Sequence, residues 1–221
     1  MYLGCMCSGK TDLMCVEYNS RKISSCKKSQ KLLVITHTLD RVDRFDNTNQ
    51  AAKWGSSQNR AVSGMQAQEA KWVSSQNQQA QEEAKWVSSR NQSIAYDYCV
   101  DTLTELKTVN LDSVNCILIN EGQLFKDLKD MCLFWARQGI EVLVFALDAY
   151  ANQKLWEPIA ELMPFAFYQK LSGATCDGCG DRTATLTFTQ ADLANKKVTT
   201  VAVIKAGNKE EYSTRCIHCS L

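Results

Sequence analysis

Three runs of apolar residues have the length and continuity of buried β-strands. They are KLLVITH at residues 31–37, VNCILIN at 114–120 and IEVLVFALD at 140–148. Strands that are covered on both faces of a parallel sheet show such continuous runs rather than strict alternation. Residues 124–139 carry apolar positions at helical spacing and end at Gly139, a residue typical of helix C-termini. The pattern predicts an α/β fold, in which a parallel sheet with right-handed crossovers is flanked by helices.

A polar segment at residues 46–94 interrupts this alternation. It is rich in Gln, Asn, Ser and Ala, and it contains an imperfect repeat in three copies, AKWGSSQNR, AKWVSSQNQ and AKWVSSRNQ. Trp54, Trp72 and Trp86 are 18 and 14 residues apart, which returns them nearly to one helix face and fits a helical hairpin with a tryptophan stripe. Few aliphatic residues accompany each tryptophan, so the favoured interpretation is a low-complexity surface insertion with little fixed structure.

Composition and charge exclude several classes of protein. With 221 residues, 45% of them hydrophobic, the chain is long enough to bury a core of ordinary size. Its 25 basic and 24 acidic residues give a net charge of +1, so neither nucleic acid nor an anionic membrane is expected as a partner. No apolar run reaches the roughly 20 residues that span a bilayer, and the N-terminus lacks the apolar core of a secretory signal. A cytoplasmic protein is therefore predicted.

The chain opens with MYLGCMCSGKT, in which residues 4–11 match the phosphate-loop pattern G-x-x-x-x-G-K-T. In this pattern backbone N–H groups surround phosphates, the lysine reaches the β- and γ-phosphates, and the hydroxyl binds Mg²⁺. Gly4, Gly9, Lys10 and Thr11 are therefore candidate nucleotide-binding residues. Such a loop normally follows a buried strand, but only three residues precede Gly4, so we expect a shortened first strand or a chain that lacks upstream residues.

The end of the second long apolar run, ILINEGQLF, offers the polar groups that a phosphate-loop protein needs beside its metal ion. Asn120 stands at the strand end, where its amide can accept a hydrogen bond but adds no negative charge. Glu121 follows, and it is a candidate general base that draws a proton from an attacking alcohol. The alternative for Glu121 is an ordinary carboxylate beside Mg²⁺.

Eleven cysteines include two C-x-x-C pairs, CDGC at residues 176–179 and CIHC at 216–219. Four thiolates at this spacing suit a tetrahedral Zn²⁺ ion, and an odd cysteine count without a signal peptide favours metal over the alternative of disulfides or redox thiols. The predicted ligands of a structural zinc are Cys176, Cys179, Cys216 and Cys219. His218, within the second pair, is expected to be a bystander. The other seven cysteines are expected to be small apolar residues.

Four motifs occur together in one order. They are a phosphate loop of the form G-x-M-x-S-G-K-T, the strand end N-E-G-Q-L-F, an A-L-D motif at residues 146–148, and the two C-x-x-C pairs. Together they resemble the zinc-containing thymidine kinases of animal cytosol, many bacteria and large DNA viruses, over nearly the whole chain except the repeat segment. The resemblance implies a RecA-like phosphate-loop kinase domain over residues 1–170, with the insertion at 46–94, and a zinc-binding lasso domain over residues 171–221.

The resemblance also implies a reaction and roles for individual residues. The reaction is transfer of the γ-phosphoryl group of ATP to the 5′-hydroxyl of thymidine, with Mg²⁺ and structural Zn²⁺, in a homodimer or homotetramer. Glu121 is the implied catalytic base. The implied nucleotide-binding residues are Gly4, Met6, Ser8, Gly9, Lys10, Thr11, Asn120 and Gln123. The implied nucleoside-binding residues are Met6, Phe125, Leu147, Trp156 and Tyr212. Asp43 and Arg44 are weaker assignments.

Several features depart from the pattern of this family. They are the short first strand, Asn120 in place of aspartate, Leu124 in place of phenylalanine, Ala151 in place of an aromatic residue, and the repeat insertion. Two functions fit the sequence, an active thymidine kinase and a non-catalytic homologue that serves as a binding or assembly module. The intact phosphate loop, Glu121 and the cysteine pairs favour the first. If the kinase is active, restoring aspartate at position 120 is expected to raise its activity, because it returns a negative charge beside the metal.

Overall fold

The centre of the fold is a six-stranded parallel β-sheet. A computed structural model of the protein describes residues 1–25, 31–40, 86–88, 93–198 and 211–220. In chain order the strands are β1 (Tyr2–Gly4), β2 (Lys31–His37), β3 (Trp86–Ser88), β4 (Ser93–Ala95), β5 (Tyr98–Val100), β6 (Val114–Asn120), β7 (Glu141–Leu147), β8 (Gln169–Lys170), β9 (Leu186–Thr189) and β10 (Tyr212–Arg215). The sheet has the order β5-β2-β6-β7-β1-β8, and all of its strand pairings are parallel. The α/β class that the apolar runs predict is confirmed.

Helices cover both faces of this sheet. The α-helices are α1 (Lys10–Ser25), α2 (Leu128–Arg137), α3 (Glu157–Leu162) and α4 (Gln190–Asn195), and 3-10 turns occupy Leu103–Leu106, Gly122–Leu124, Met163–Phe165 and Ile217–Cys219. In β6, Ile117 and Ile119 pack with residues of α2 and α3, whereas Cys116 and Leu118 pack with residues of α1. Since both faces of the central strands are buried, their sequences are continuously apolar. Among the described residues, no helix combines the length and the apolar character that crossing a membrane requires.

The first strand is short, but it does not lie at an edge of the sheet. β1 has three residues, whereas β2, β6 and β7 have seven each. It pairs with β7 on one side and with β8 on the other, and Leu3 at its centre is 3% exposed. β1 therefore holds the start of the phosphate loop inside the sheet, one strand away from the edge strand β8.

The last copy of the tryptophan repeat contributes to the fold. β3 pairs antiparallel with β4, with Val87 opposite Ile94. Both side chains are buried, at 1% and 3% exposure, and they belong to the same apolar cluster as Met14 and Cys15 of α1. The structured part of the chain thus extends into the end of the predicted 46–94 insertion. The two earlier repeat copies, with Trp54 and Trp72, lie outside the described residues.

The C-terminal part of the chain is built on an antiparallel strand pair. β9 pairs with β10, with Thr187 opposite Thr214 and Thr189 opposite Tyr212. Thr189 ends β9 and caps α4, because its Oγ1 accepts a hydrogen bond from the backbone N–H of Asp192 over 3.0 Å. The two cysteine pairs lie at the base of this strand pair, next to the ends of β9 and β10.

The packing of β3 generates a stability test. Val87→Asp is expected to lower the free energy of unfolding by roughly 2–4 kcal/mol, because it places a carboxylate in the buried apolar cluster that includes Met14 and Cys15 of α1. The matched control is Val16→Asp, at a valine of α1 that is 53% exposed, with an expected change below about 0.5 kcal/mol. Equilibrium unfolding in urea measures both. Equal stability of Val87→Asp and the wild type would contradict this packing.

The packing of β3 limits the segment that can be deleted without loss of stability. A low-complexity insertion with little fixed structure would allow deletion of residues 48–92 with the core still folded. This deletion removes Val87 from the cluster with α1, so we expect it to destabilise the core. Deletion of residues 48–84 retains β3 and β4, and it is expected to leave the fold intact. Thermal unfolding of the two shortened proteins beside the wild type checks both expectations.

Candidate active site and metal centre

The loop between β1 and α1 turns tightly around two glycines. The backbone N–H of Leu13 donates to the carbonyl oxygen of Gly9 over 2.9 Å, which closes the first turn of α1. A Cβ on Gly4 would lie 2.6 Å from Ser8 Oγ and 3.0 Å from the carbonyl oxygen of Leu171, so no side chain fits at this position. Gly9 has a φ of +85°, which other residues rarely adopt. The backbone therefore requires both glycines of the predicted phosphate loop.

Lys10 begins α1 and folds back over this loop. Its Nζ donates to the carbonyl oxygens of Cys5 over 2.8 Å and of Gly4 over 3.1 Å. Burial lowers the pKa of Lys10, and the negative charge of Glu121 opposes this shift. The free N–H groups at the start of a 16-residue helix add partial positive charge, and Thr11 lies in that first turn. A buried ammonium, a helix N-terminus and a close-packed glycine loop form a site that fits the phosphates of a nucleotide.

Asn120 lies at the carboxyl end of β6 and faces a carboxylate three residues beyond the end of the neighbouring strand β2. Its side chain is 2% exposed, and its Nδ2 donates to Asp40 Oδ2 over 3.1 Å and to Thr36 Oγ1 over 3.4 Å. Thr36 Oγ1 also donates to Asp40 Oδ2, over 3.2 Å. Asp40 therefore brings a negative charge directly to the amide of Asn120. We call Asn120, Asp40 and Thr36 the acid–amide corner.

No motif in the sequence identifies Asp40, the first residue of the segment DRVDRF at residues 40–45. The signal that identifies it is topological, since β2 and β6 are adjacent parallel strands and their carboxyl ends meet at one edge of the sheet. Asp43 and Arg44, the weaker assignments in the same segment, lie outside the described residues.

Glu121 follows the acid–amide corner in an unusual backbone conformation. Its φ of 51° and ψ of 43° are in the left-handed region, and its side chain is half-buried. Gln123 Nε2 donates to Glu121 Oε2 over 2.6 Å, and Gln123 Oε1 accepts from the backbone N–H of Leu147 over 2.9 Å. Because the charge of Glu121 acts on Lys10, the fold brings the predicted base to the phosphate loop.

Three of the predicted nucleoside-binding residues retain exposed surface near this edge of the sheet. Leu147 ends β7, Tyr212 lies in β10, and both are half-buried. Met6 is also half-buried, and its backbone N–H donates to Thr187 Oγ1 of β9 over 3.1 Å. The β9–β10 pair therefore contacts the phosphate loop directly.

Phe125 and Trp156, the other two predicted nucleoside-binding residues, are more deeply buried than these three. Phe125 has no exposed surface and packs on His37, with ring centroids 4.8 Å apart. Trp156 is 6% exposed and stacks on Tyr150, with ring centroids 3.7 Å apart. Both rings belong to the core cluster under α2 and α3. Their role as nucleoside-binding residues stays a prediction.

The four cysteines of the two C-x-x-C pairs come together. Their Sγ atoms all lie within 4.8 Å of one another, and Cys179 Sγ and Cys216 Sγ are 3.9 Å apart. Tetrahedral Zn²⁺ with Zn–S bonds of about 2.3 Å needs sulfur atoms about 3.8 Å apart, so this cluster fits a zinc ion. Asp177 Oδ2 ties the two pairs together, because it accepts from Ser213 Oγ over 2.9 Å and from the backbone N–H of Thr214 over 2.8 Å. His218 is exposed and lies outside the cluster.

The environment of Cys176 suits a metal-binding thiolate. Burial raises its pKa, but backbone N–H groups of Cys216 and Gly178 donate to its Sγ over 3.3 Å each, and the pKa falls to about 6. Within the cluster, a hydrogen bond with the thiol of Cys216 raises the pKa of Cys219 to about 12, so Cys176 is the ligand whose thiolate form is favoured before a metal binds. Burial raises the pKa of Cys116 and of Cys132 to about 12, which leaves them as small apolar residues.

Cys5 of the phosphate loop packs against the cluster formed by the two C-x-x-C pairs. Cys5 is 2% exposed, and it packs in a small apolar group with Ala174, Ala184, Cys176 and Cys216. Its Sγ lies 3.6 Å from the carbonyl oxygen of Ala184. Cys7, two residues on, is exposed and so departs from the expected apolar role. The phosphate loop and the cysteine cluster therefore share one packed boundary.

A comparison with known families decides where the chain belongs. The model of the family described as "Thymidine kinase" matches residues 60–220, which is 161 of the 221 residues. The chain belongs to the thymidine kinase family. The match begins after residues 4–11, so the phosphate-loop geometry is a separate observation that agrees with this family's kinase name.

Individual thymidine kinases are similar to this family member over part of their length. A thymidine kinase of African swine fever virus (strain Badajoz 1971 Vero-adapted) is 30% identical over 117 residues, which is 52% of this chain and 56% of the relative. That of Haloquadratum walsbyi is 29% identical over 113 residues, 51% of this chain and 49% of the relative. That of Yaba monkey tumor virus is 27% identical over 126 residues, which is 54% of this chain and 65% of the relative. The chain spans about half the length of the curated relatives it matches.

The cysteine cluster generates a metal prediction for this family member. Purified protein is expected to contain one zinc per chain, and Cys179→Ser is expected to lose it, since structural zinc contributes on the order of 10 kcal/mol to local folding. Because Cys5 packs on the cluster, zinc loss is expected to weaken nucleotide binding about fivefold or more. Elemental analysis and calorimetric titration measure the two effects, with Cys99→Ser as the control. Folded protein without zinc would rule out this assignment.

The acid–amide corner changes the expectation for aspartate at position 120. In Asn120→Asp the new carboxylate replaces an amide that donates to Asp40, so two like charges meet. Without divalent ions, the variant is expected to lose about 1–3 kcal/mol of stability, and millimolar Mg²⁺ is expected to restore much of it. The exchange Asp40→Asn/Asn120→Asp keeps one acid and one amide and should unfold near the wild-type temperature. Thermal unfolding with and without Mg²⁺ measures these changes. An Asn120→Asp variant with the same unfolding temperature in both conditions would contradict the prediction.

Proposed function

We propose that the protein is a thymidine kinase that transfers the γ-phosphoryl group of ATP to the 5′-hydroxyl of thymidine, giving dTMP. The observation that carries the proposal is the placement of two groups at the carboxyl edge of the sheet. Lys10 is buried over the phosphate loop that follows β1, and Glu121 follows β6, near enough for its charge to oppose the burial that lowers the pKa of Lys10. Phosphoryl transfer needs an anion site and a base close to each other. Membership of the thymidine kinase family supports the choice of substrate.

The nucleotide side of the site is assigned to the phosphate loop and the start of α1. Backbone N–H groups between Gly4 and Lys10 bind phosphate oxygens, and the Lys10 ammonium moves from the loop carbonyls to the β- and γ-phosphates. The Thr11 hydroxyl and the acid–amide corner are the groups that would hold Mg²⁺, directly or through water. When bound, this ion neutralises charge on the transferred phosphoryl group.

Glu121 is assigned the proton transfer. Its carboxylate takes the proton from the 5′-hydroxyl of thymidine as that oxygen forms a bond to the γ-phosphorus atom. The bond from the γ-phosphorus to the bridging oxygen breaks, and ADP leaves with that electron pair. The ordinary metal-side carboxylate is a role that Asp40 fills better, because Asp40 accepts from Asn120 at the strand end where the family pattern has aspartate.

The nucleoside is assigned to the space beside Met6, Leu147 and Tyr212. All three are half-buried, and the β9–β10 pair that carries Tyr212 reaches the loop through Thr187. Structural zinc at the base of this strand pair would hold it against the phosphate loop. We further propose the division into a kinase domain (1–170) and a zinc-binding domain (171–221), a homo-oligomeric assembly and a cytoplasmic location.

A non-catalytic homologue is the second candidate, and Asn120 in place of an acid is the observation that favours it. The two candidates differ in one measurement, the turnover of thymidine with ATP and Mg²⁺. Asp40 weakens the second candidate, since the acid–amide corner retains a carboxylate. The kinase is therefore the function that the site supports best.

The base assignment is tested with Glu121→Gln. This change is expected to lower kcat for thymidine phosphorylation by about 10²- to 10⁴-fold and to leave nucleotide affinity within about twofold, because it removes a proton acceptor and no phosphate contact. The matched control is Glu161→Gln, an exposed glutamate paired with Lys129, which should retain wild-type turnover. Steady-state kinetics and calorimetry provide the readouts. Equal kcat for Glu121→Gln and the wild type would refute the assignment, and an inactive wild type would favour the homologue.

A further inference from the structure

The side-chain amide of Gln123 is fixed at both of its ends. Gln123 Nε2 donates to Glu121 Oε2 over 2.6 Å, and Gln123 Oε1 accepts from the backbone N–H of Leu147 over 2.9 Å. The side chain is 3% exposed. A backbone N–H bonds only to the amide oxygen and a carboxylate only to the amide nitrogen, so the two contacts together determine which way the amide points. Gln123 therefore connects the end of β7 to the carboxylate of Glu121.

The backbone around this contact has little freedom. Glu121 is in the left-handed region, which a residue with a side chain adopts only at an energetic cost. A Cβ on Gly122 would lie 2.5 Å from Val144 Cγ1, so the turn that follows is packed closely on β7. The turn brings Gln123 back beneath the carboxylate of Glu121. The position of that carboxylate is thus set by the turn and by one buried amide.

We propose that Gln123 is a positioning residue that holds the Glu121 carboxylate for proton transfer, and that it is not the nucleotide ligand that the family resemblance implies. This inference rests on the proposed function of Glu121. A buried amide that uses its nitrogen on Glu121 and its oxygen on Leu147 has its principal hydrogen bonds engaged within the protein. Holding a base within a fraction of an ångström of its productive position is worth up to about 10²-fold in rate.

Gln123→Met tests the inference, because methionine keeps the length of the side chain and removes both hydrogen bonds. The variant is expected to lose about 10- to 100-fold in kcat, with the KM values for thymidine and ATP within about twofold of the wild type. Calorimetric titration with ADP is expected to show unchanged affinity. The matched control is Gln138→Met at the exposed end of α2, which should change none of these quantities.

A double-mutant cycle separates this inference from the proposed function. If Gln123 acts through Glu121, adding Gln123→Met to Glu121→Gln is expected to cause no further loss of kcat. A full additional loss in that background would overturn the positioning role while leaving Glu121 as the base. A large loss of ADP affinity in Gln123→Met would instead make Gln123 a nucleotide ligand and would also overturn the inference. If Glu121→Gln has wild-type kcat, or the wild type has none, both the function and the inference fail.

A second variant covers the case in which Gln123→Met does not fold. Gln123→Glu retains the size of the side chain and an oxygen for the N–H of Leu147, but it turns a carboxylate oxygen toward Glu121. The repulsion is expected to lower kcat at least as much as Gln123→Met does, with unchanged ADP affinity. Wild-type kcat in folded Gln123→Glu would overturn the inference.

Discussion

The close approach of the backbone at Gly4 is the constraint on which the site depends. Gly4 ends β1, and a Cβ there would meet Ser8 on one side and the carbonyl oxygen of Leu171 on the other. The strand before it is held by β7 and β8, and the residue after it, Cys5, packs into the cysteine cluster. The phosphate loop is therefore packed between the sheet and the C-terminal region. Its shape depends on both, which explains how a three-residue strand suffices to support it.

The acid–amide corner shows why one unusual residue does not decide the electrostatics of a site. Asn120 alone removes a negative charge from the end of β6, but Asp40 supplies one 3.1 Å from the same amide. An amide that donates to a carboxylate satisfies a buried polar group without a second charge, whereas two acids at this distance would share a proton in the absence of a cation. The corner therefore carries one negative charge in a satisfied hydrogen-bond network. This arrangement is compatible with a metal ion and is stable without one.

The sequence predicts the parts of this structure that arise from long or regularly spaced signals. β2, β6, β7 and α2 follow from apolar runs, and the cysteine cluster follows from two C-x-x-C spacings. The pairing of β3 with β4 could not be predicted, because the buried residues described in it, Val87 and Ile94, are too few to show a hydrophobic period inside a polar repeat. Asp40 was missed because its contact with Asn120 depends on strand order rather than on sequence spacing. The burial of Phe125 could not be predicted for a similar reason, since it depends on the ring of His37 from another strand.

The turn after β6 links backbone strain to the proposed chemistry. Glu121 takes a left-handed conformation that a non-glycine residue adopts only when its surroundings compensate the cost. Those surroundings are present, since Gly122 fits against Val144 only without a side chain, and Gln123 bonds to both Glu121 and Leu147. A relaxed extended residue at position 121 would continue along β6, and the chain could not turn back at Gly122 onto β7. The strain is therefore the condition that lets one short turn place a carboxylate beside the buried lysine of the phosphate loop.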